Sequence, residues 1–360
     1  MIAFVKEHWW KVLCVTLFIY ILSAGLLKPL GSGIEAVDKS AATIGTPLTL
    51  DVRCYNTELT KATTRAWLKV GDSCFVAADS VFVRDNRNLT LQFALNGSFP
   101  IKDKIVAATL VLDNKESGVM LLPSAVFINS NDSVKQGIIH LPQLSDLNVG
   151  TTQSSYPYRE ILEETIRNLF YHVPLWFAML LIFCISMVLS FRHLQTQDLR
   201  YDIAATAFAK VGMLFGILGT VTGMLWAQYT WGKAWSWDIK QNTTAISLLM
   251  YAAYFVLRGS FDDDDRRARL SAVYNIFAFF MLIPLLFVIP RLSDSLHPGN
   301  GGNPAFSKMD LNSNMRIVFY PAVIAFMLLG IWIASLTNRI DALRARKLGL
   351  LEDNLVNDVV

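Results

Sequence analysis

The residues most capable of specific chemistry in this chain are tryptophans clustered in the thirteen residues 226–238, WAQYTWGKAWSWD. The four tryptophans of this segment are Trp226, Trp231, Trp235 and Trp237. Tryptophan is enriched at membrane–water interfaces, so an aromatic belt is one interpretation. A belt requires neither this density, nor Gly232 inside the segment, nor Asp238 at its end. A flat, apolar, partly charged ligand at the membrane surface would require all three.

Two histidines are placed to act as ligands beside this segment. His172 opens a long apolar stretch in the run YHVP, and His297 precedes another in the run LHPG. Neutral imidazole is a common axial ligand of haem iron. The macrocycle needs apolar walls, and its two propionates need cations or hydrogen-bond donors, for which Arg291, Lys233 and Lys240 are candidates. A lone interfacial histidine is more often structural, so residue chemistry alone leaves both interpretations open.

Long apolar stretches must position these residues. The 360 residues are 53% hydrophobic and only 17% charged, whereas soluble domains are about 45–50% apolar and about 25% charged. Six stretches approach the length needed to cross a bilayer core of about 30 Å. They are residues 9–27, 173–191, 211–226, 243–257, 272–289 and 317–336. The net charge of +3 does not favour nucleic acid as a partner.

Basic residues predict how these spans are oriented. The short segments on the side of the N-terminus, termini included, hold twelve Lys and Arg residues, and the two short loops on the other side hold five. Both termini are therefore expected in the cytoplasm, with the tryptophan-rich segment and the 291–316 loop outside. His8 and His193 fall on the cytoplasmic side. No A-x-A site follows the first stretch, so an uncleaved anchor is favoured over a signal peptide.

Residues 30–165 have a different pattern, with short alternating runs such as TLDVRC (49–54) and LTLQFAL (89–95). Turn signals at Asn96-Gly97 and Asp113-Asn114 separate such runs, which favours a small antiparallel sandwich or barrel. On the expected orientation this region, which contains His140, is extracytoplasmic. An oxidising compartment allows a disulfide between Cys54 and Cys74, but sequence does not show whether their Cβ atoms meet.

The expected fold is thus an integral membrane all-α bundle of six transmembrane helices with an inserted extracytoplasmic all-β, sandwich-like domain. The domains would be a transmembrane anchor (1–29), the β-rich domain (30–165), a five-helix membrane domain (166–340) with an outer tryptophan-rich loop (226–242), and a cytoplasmic tail (341–360).

Two further patterns have simple structural interpretations. Glycines spaced 4-3-4 along the third span, Gly212, Gly216, Gly219 and Gly223, share one helix face and favour close helix packing. The acidic run 262–265 is followed by arginines, which favours a solvated turn over a metal site.

Four runs together resemble the CcmC type of haem-handling proteins of cytochrome c maturation. These are WGxxWxWD at 231–238, HVP at the start of the second span, LHPG before the last, and FDDDDRRAR at 261–269. The resemblance covers roughly residues 168–340. In that family two outer histidines coordinate haem iron and the tryptophan-rich segment contacts the macrocycle. The matching residues here are His172, His297, Trp231, Gly232, Trp235, Trp237 and Asp238; Asp238 would cap the next helix or bond a loop amide rather than meet haem directly.

The resemblance implies non-covalent haem b, held at the periplasmic face of a bacterial inner membrane. It also implies delivery of haem to a CcmE-type chaperone, with the CcmA and CcmB subunits of an ABC transporter and CcmD as further partners beside the lipid bilayer. The chain is not expected to be an enzyme: it has no GxxxxGK[ST] loop, so ATP hydrolysis would belong to a partner.

Alternatives from the same motif are a CcsA-type cytochrome c synthetase component and a membrane b-type haem redox protein. CcsA and CcmF types carry additional histidines inside their spans, and none lies inside the six spans predicted here. Two departures from CcmC remain: Ala234 stands where many members have another tryptophan, and residues 30–165 have no counterpart in the usual short first loop.

Overall fold

The computed structural model describes residues 2–71, 74–95, 104–129, 155–297 and 311–351, with side chains from His8 onward. The Asn96-Gly97 turn, His140, the segments 130–154 and 298–310, and the tail beyond residue 351 lie outside this part of the chain. The chain divides into two compact units. One comprises Met1–Leu27 with Thr165–Val360, and the other comprises Lys28–Glu164.

The first unit is built from six long helices among the described residues. They are α1 (Ile2–Leu27), α2 (Leu169–Thr196), α3 (Leu199–Trp231), α4 (Ile239–Arg258), α5 (Asp264–Ile283) and α6 (Ser313–Lys347). A 3₁₀ turn over Glu163–Asn168 leads into α2. A π-helical turn over Pro284–Val288 and a 3₁₀ turn over Ile289–Arg291 extend α5.

Five of these helices are long and apolar enough to cross a membrane, so the chain is a multi-pass membrane protein. The five stretches are His8–Leu27, Glu163–Thr196, Leu199–Trp231, Asp264–Arg291 and Ser313–Lys347. The expected count of six is not confirmed. The fourth predicted span lies within α4, but that helix begins at Ile239 with the polar run KQNTT, which lowers its hydropathy.

Helix α2 packs against α3, α5 and α6, while α1 packs against α6. The glycines of α3 permit the close approach of α2. A Cβ on Gly212 would lie 2.7 Å from the Phe183 ring, and one on Gly219 would lie 2.9 Å from the Trp176 ring. Large α2 side chains thus occupy the space that these glycines leave, as the packing interpretation predicts.

Ion pairs fasten the ends of the helices opposite the tryptophan-rich loop. Asp202 in the first turn of α3 and Arg258 at the end of α4 form a buried two-pronged pair, with Arg258 Nη1 2.7 Å from Asp202 Oδ1. Lys210 on α3 pairs with Asp341 on α6 at 2.7 Å. Asp263, in the acidic run, caps α5 by accepting from the Arg266 amide.

The second unit consists of β-strands, which confirms the expected all-β character. The strands are β1 (Gly33–Val37), β2 (Ala41–Thr43), β3 (Pro47–Tyr55), β4 (Thr64–Val70), β5 (Cys74–Ala77), β6 (Ser80–Val83), β7 (Asn88–Ala94), β8 (Ile105–Asn114) and β9 (Gly118–Asn129). They form a sheet of order β1-β3-β7-β6 and a sheet of order β2-β9-β8-β4-β5. All pairs are antiparallel except β2 with β9.

Alternate residues of both sheets share one apolar core, which includes Leu50, Phe93, Leu110 and Val126. Cys54 on β3 and Cys74 on β5 are buried in this core as free thiols. Burial, with a smaller contribution from the charge of Glu35, raises the pKa of Cys54 to about 12. These thiols are therefore protonated and contribute to the core as small apolar groups.

The predicted turn at Asp113-Asn114 is displaced by one or two residues. Both residues close β8, and the turn itself spans residues 115–117. The side-chain Oδ1 of Asn114 accepts from the backbone amides of Glu116 and Ser117, both at 3.0 Å. Asparagine thus contributes its usual turn chemistry from the position just before the turn.

Candidate functional site

The first histidine, His172, lies in the first turn of α2 and faces α3. Its Nδ1 is 3.0 Å from the Gly219 carbonyl oxygen and 3.1 Å from Thr222 Oγ1. Because a carbonyl can only accept, Nδ1 carries the proton and Nε2 keeps its lone pair. The imidazole packs directly against Gly223, where a Cβ would lie 2.7 Å from His172 Cε1.

The second histidine, His297, is oriented by Asp238. His297 Nδ1 lies 2.9 Å from Asp238 Oδ1, so the proton again sits on Nδ1 and Nε2 keeps its lone pair. The buried carboxylate also accepts from Ser295 Oγ, from the Leu296 amide and, as the N-cap of α4, from the Lys240 amide. One aspartate therefore joins the start of α4 to the segment that carries His297. This agrees with the two roles foreseen for Asp238, helix cap and loop-amide acceptor.

The same contacts determine the charge states of His297 and Asp238. Burial lowers the pKa of His297, and the neighbouring Asp238 opposes this shift without reversing it. Burial by itself disfavours ionised Asp238, but the amides of Leu296 and Lys240, together with His297 and Ser295, hold its pKa below the usual value. At neutral pH the pair is therefore a neutral imidazole beside a carboxylate, the state in which imidazole binds metals.

Both histidines line one cavity of ≈ 330 Å³. Helix α2 supplies His172, Trp176 and Phe177, and the tryptophan-rich loop supplies Trp235. The remaining lining residues come from α2, α3, α4, and the π and 3₁₀ turns: Val173, Leu180, Gly219, Thr220, Gly223, Met224, Lys240, Gln241, Thr243, Thr244, Leu286, Phe287, Pro290 and Arg291. The walls are thus mostly apolar, and two cations, Lys240 and Arg291, lie among them.

The predicted tryptophans occupy different positions. Trp235 is in the cavity wall, and Trp231, the last residue of α3, packs edge-on against His297 with ring centroids 4.8 Å apart. Trp226 is 6.3 Å from the same imidazole. Trp237, which has a positive φ of 59°, is 77% exposed. Gly232 ends α3 in the left-handed region at φ 74°, and it and Lys233 are outside the cavity lining.

Two glutamines that sequence reasoning missed hold the loop in shape. Gln228 donates to the Gly232 carbonyl at 3.2 Å and accepts from the Ala234 amide at 3.0 Å. Gln241, which is nearly buried, donates to the Ala234 carbonyl at 3.2 Å and accepts from the Ser236 amide at 2.8 Å. The sequence signal for these contacts was the position of the two glutamines, one in the last turn of α3 and one in the first turn of α4.

We expect Gly223→Ala to displace the His172 imidazole, because the added methyl group would lie within 3 Å of the ring. Overpacking of this kind typically costs about 1–3 kcal/mol. Thermal denaturation in detergent would measure that loss. Gly259→Ala is the matched control, since a Cβ there meets nothing closer than 3.5 Å. Equal thermal stability of the two variants would contradict the close contact between His172 and Gly223.

Comparison with known proteins identifies related chains. The family model CcmC, described as heme exporter protein C, matches residues 139–350, so β1 to β9 precede the matched region. The heme exporter protein C of Bradyrhizobium diazoefficiens is 25% identical over 188 residues, which cover 52% of this chain and 72% of the relative. That of Paracoccus denitrificans is 25% identical over 187 residues, with 52% and 77% covered. The protein of Escherichia coli K12 is 26% identical over 185 residues, with 51% and 71% covered.

Proposed function

Since the chain belongs to the CcmC (heme exporter protein C) family, we propose that it binds haem between His172 and His297 and passes it to a haem chaperone of the CcmE type. Haem is then cargo, and the chemistry is ligand exchange. The site would face the periplasm from a bacterial inner membrane, with both termini in the cytoplasm. The CcmA and CcmB transporter subunits and CcmD would be partners, with ATP hydrolysis outside this chain.

The observation that carries the proposal is the pair of imidazoles on a single cavity. In each histidine a hydrogen bond at Nδ1 leaves the Nε2 lone pair for a metal. His172 comes from α2 and His297 from the segment before α6, so the two rings reach the cavity from different elements. Such an arrangement suits an iron that takes one axial ligand on each face.

The cavity walls support haem rather than a bare metal ion. Trp176, Phe177 and Trp235 provide flat apolar contact for a macrocycle. Lys240 and Arg291 provide cations for propionates. Among the described lining residues there is no cysteine, so non-covalent haem b is the form that this site suits.

Trp235 lines the cavity and Trp237 does not, so we expect different results when each is replaced. Trp235→Leu should lower haem occupancy, because it removes an aromatic wall of the cavity. Trp237→Leu is the matched control and should leave occupancy near that of the wild type, because its side chain is 77% exposed. The measurement is the Soret absorbance per protein after purification in detergent from cells that co-express the maturation partners. Wild-type protein without haem under these conditions would refute the proposed function.

A further inference from the structure

The two histidines are supported by acceptors of different charge. Behind His297 stands the carboxylate of Asp238, whose side chain is only 3% exposed. Behind His172 stand a backbone carbonyl and a threonine hydroxyl, both neutral. Hydrogen bonds to an ionised partner are roughly twice as strong as neutral ones. A carboxylate behind a ligating histidine also raises the basicity of the nitrogen that binds the metal.

The surroundings of the two side chains strengthen this difference. Asp238 accepts from Ser295 and from the Leu296 amide, so the backbone on the N-terminal side of His297 is tied to the same carboxylate. Trp231 packs against the His297 ring. The acceptors of His172 are shared instead, because Thr222 Oγ1 also lies 3.0 Å from the Gly219 carbonyl oxygen and 2.9 Å from that of Leu218.

We propose that His297, backed by Asp238, is the anchoring haem ligand and that His172 is the ligand exchanged when haem leaves. The inference rests on the proposed function and specifies the order of events at the same site. In the exchange, the bond between iron and His172 Nε2 breaks and a bond to a donor atom of the acceptor protein forms. The oxidation state of the iron does not change, and His172 Nδ1 keeps its proton, which it continues to donate to the Gly219 carbonyl oxygen.

The test compares rates of haem loss from the full-length protein in detergent, with excess apo-globin as the haem trap. His297→Ala should lose haem at least about tenfold faster than His172→Ala, in line with the 10- to 100-fold effects of supporting carboxylates on metal sites. His172→Ala should retain five-coordinate, high-spin haem, and added imidazole should restore the low-spin spectrum.

Asp238→Asn isolates the charge, since asparagine is an equally good helix N-cap. This variant should accelerate haem loss and raise the midpoint potential of the bound haem, because a less basic His297 stabilises ferric iron less. Thr222→Val, the corresponding change behind His172, should alter both quantities less.

Equal rates for the two alanine variants would overturn the inference. So would an Asp238→Asn protein with the rate of haem loss and midpoint potential of the wild type. Either result would leave the proposed function standing if the wild type holds low-spin haem. A wild-type protein that takes up no haem would instead refute the proposed function itself.

Discussion

A protein carrying both His172→Ala and His297→Ala is expected to purify without the Soret band of the wild type. The two changes remove the two imidazoles that line the cavity and that we propose as iron ligands, while its apolar walls remain. Apolar contact and the two cations Lys240 and Arg291 would then have to hold the macrocycle without an iron ligand. Optical spectra of equal amounts of wild-type and variant protein, recorded in detergent in the oxidised and reduced states, measure the result.

The control for this experiment is His8→Ala. His8 lies in α1, outside the residues that line the cavity, so its loss should leave the haem spectrum unchanged. Size-exclusion chromatography of all three proteins would separate loss of ligand from loss of fold. Full haem content and an unchanged spectrum in the double variant would contradict the assignment of both axial ligands.

Asp202→Ala is expected to be the most destabilising single change considered for the helical unit. The side chains of Asp202 and Arg258 are 5% and 16% exposed, so removal of the carboxylate leaves a buried guanidinium without its counter-ion. Breaking such a pair from one side typically costs about 3–5 kcal/mol. The thermal midpoint in detergent should fall accordingly, and α4 should lose its attachment to the first turn of α3.

Two further variants test the cause of that loss. Lys210→Ala breaks the other ion pair, in which the lysine side chain is 46% exposed, and should cost only about 0–1 kcal/mol. The double replacement Asp202→Leu with Arg258→Met removes both charges and should recover much of the stability. If Asp202→Ala were no worse than Lys210→Ala, the buried pair would not be what joins α3 to α4.

Hydropathy predicted most of the helical unit, because the mean hydropathy of a span depends only on its own residues and not on the helices that pack against it. A membrane span is not confirmed for α4, because this helix both lines the polar part of the cavity and packs within the unit. Lys240, Gln241, Thr243 and Thr244 line the cavity, so the N-terminal end of α4 is polar although the helix packs within the unit. The mean hydropathy of a stretch does not distinguish polar side chains that line a cavity from polar side chains that face water.

The site could be predicted only as far as its motifs extend. His172 and His297 were identified from their runs and from a family resemblance, and the structure brings both to one cavity. The partners of His172 could not be predicted, since Thr222 is separated from it by 50 positions and meets it only because α3 turns back along α2. The roles of the site residues in haem binding stay predictions, and for Trp237 the exposure of its side chain leads us to expect little effect.

The π turn at Pro284–Val288 sets the angular position of the residues in the 3₁₀ turn that follows it, Ile289–Arg291. There the Ile289 amide bonds back to the Pro284 carbonyl, five residues earlier instead of four. One extra residue changes the angular position of later side chains by roughly 100°, the rotation per residue of an α-helix with about 3.6 residues per turn. Deleting one residue within this turn would therefore rotate Pro290 and Arg291 away from the cavity that they line. The extra residue of the π turn thus determines which side chains face this wall of the cavity. A relative with a regular α-helical turn here would need a cation at another position to replace Arg291.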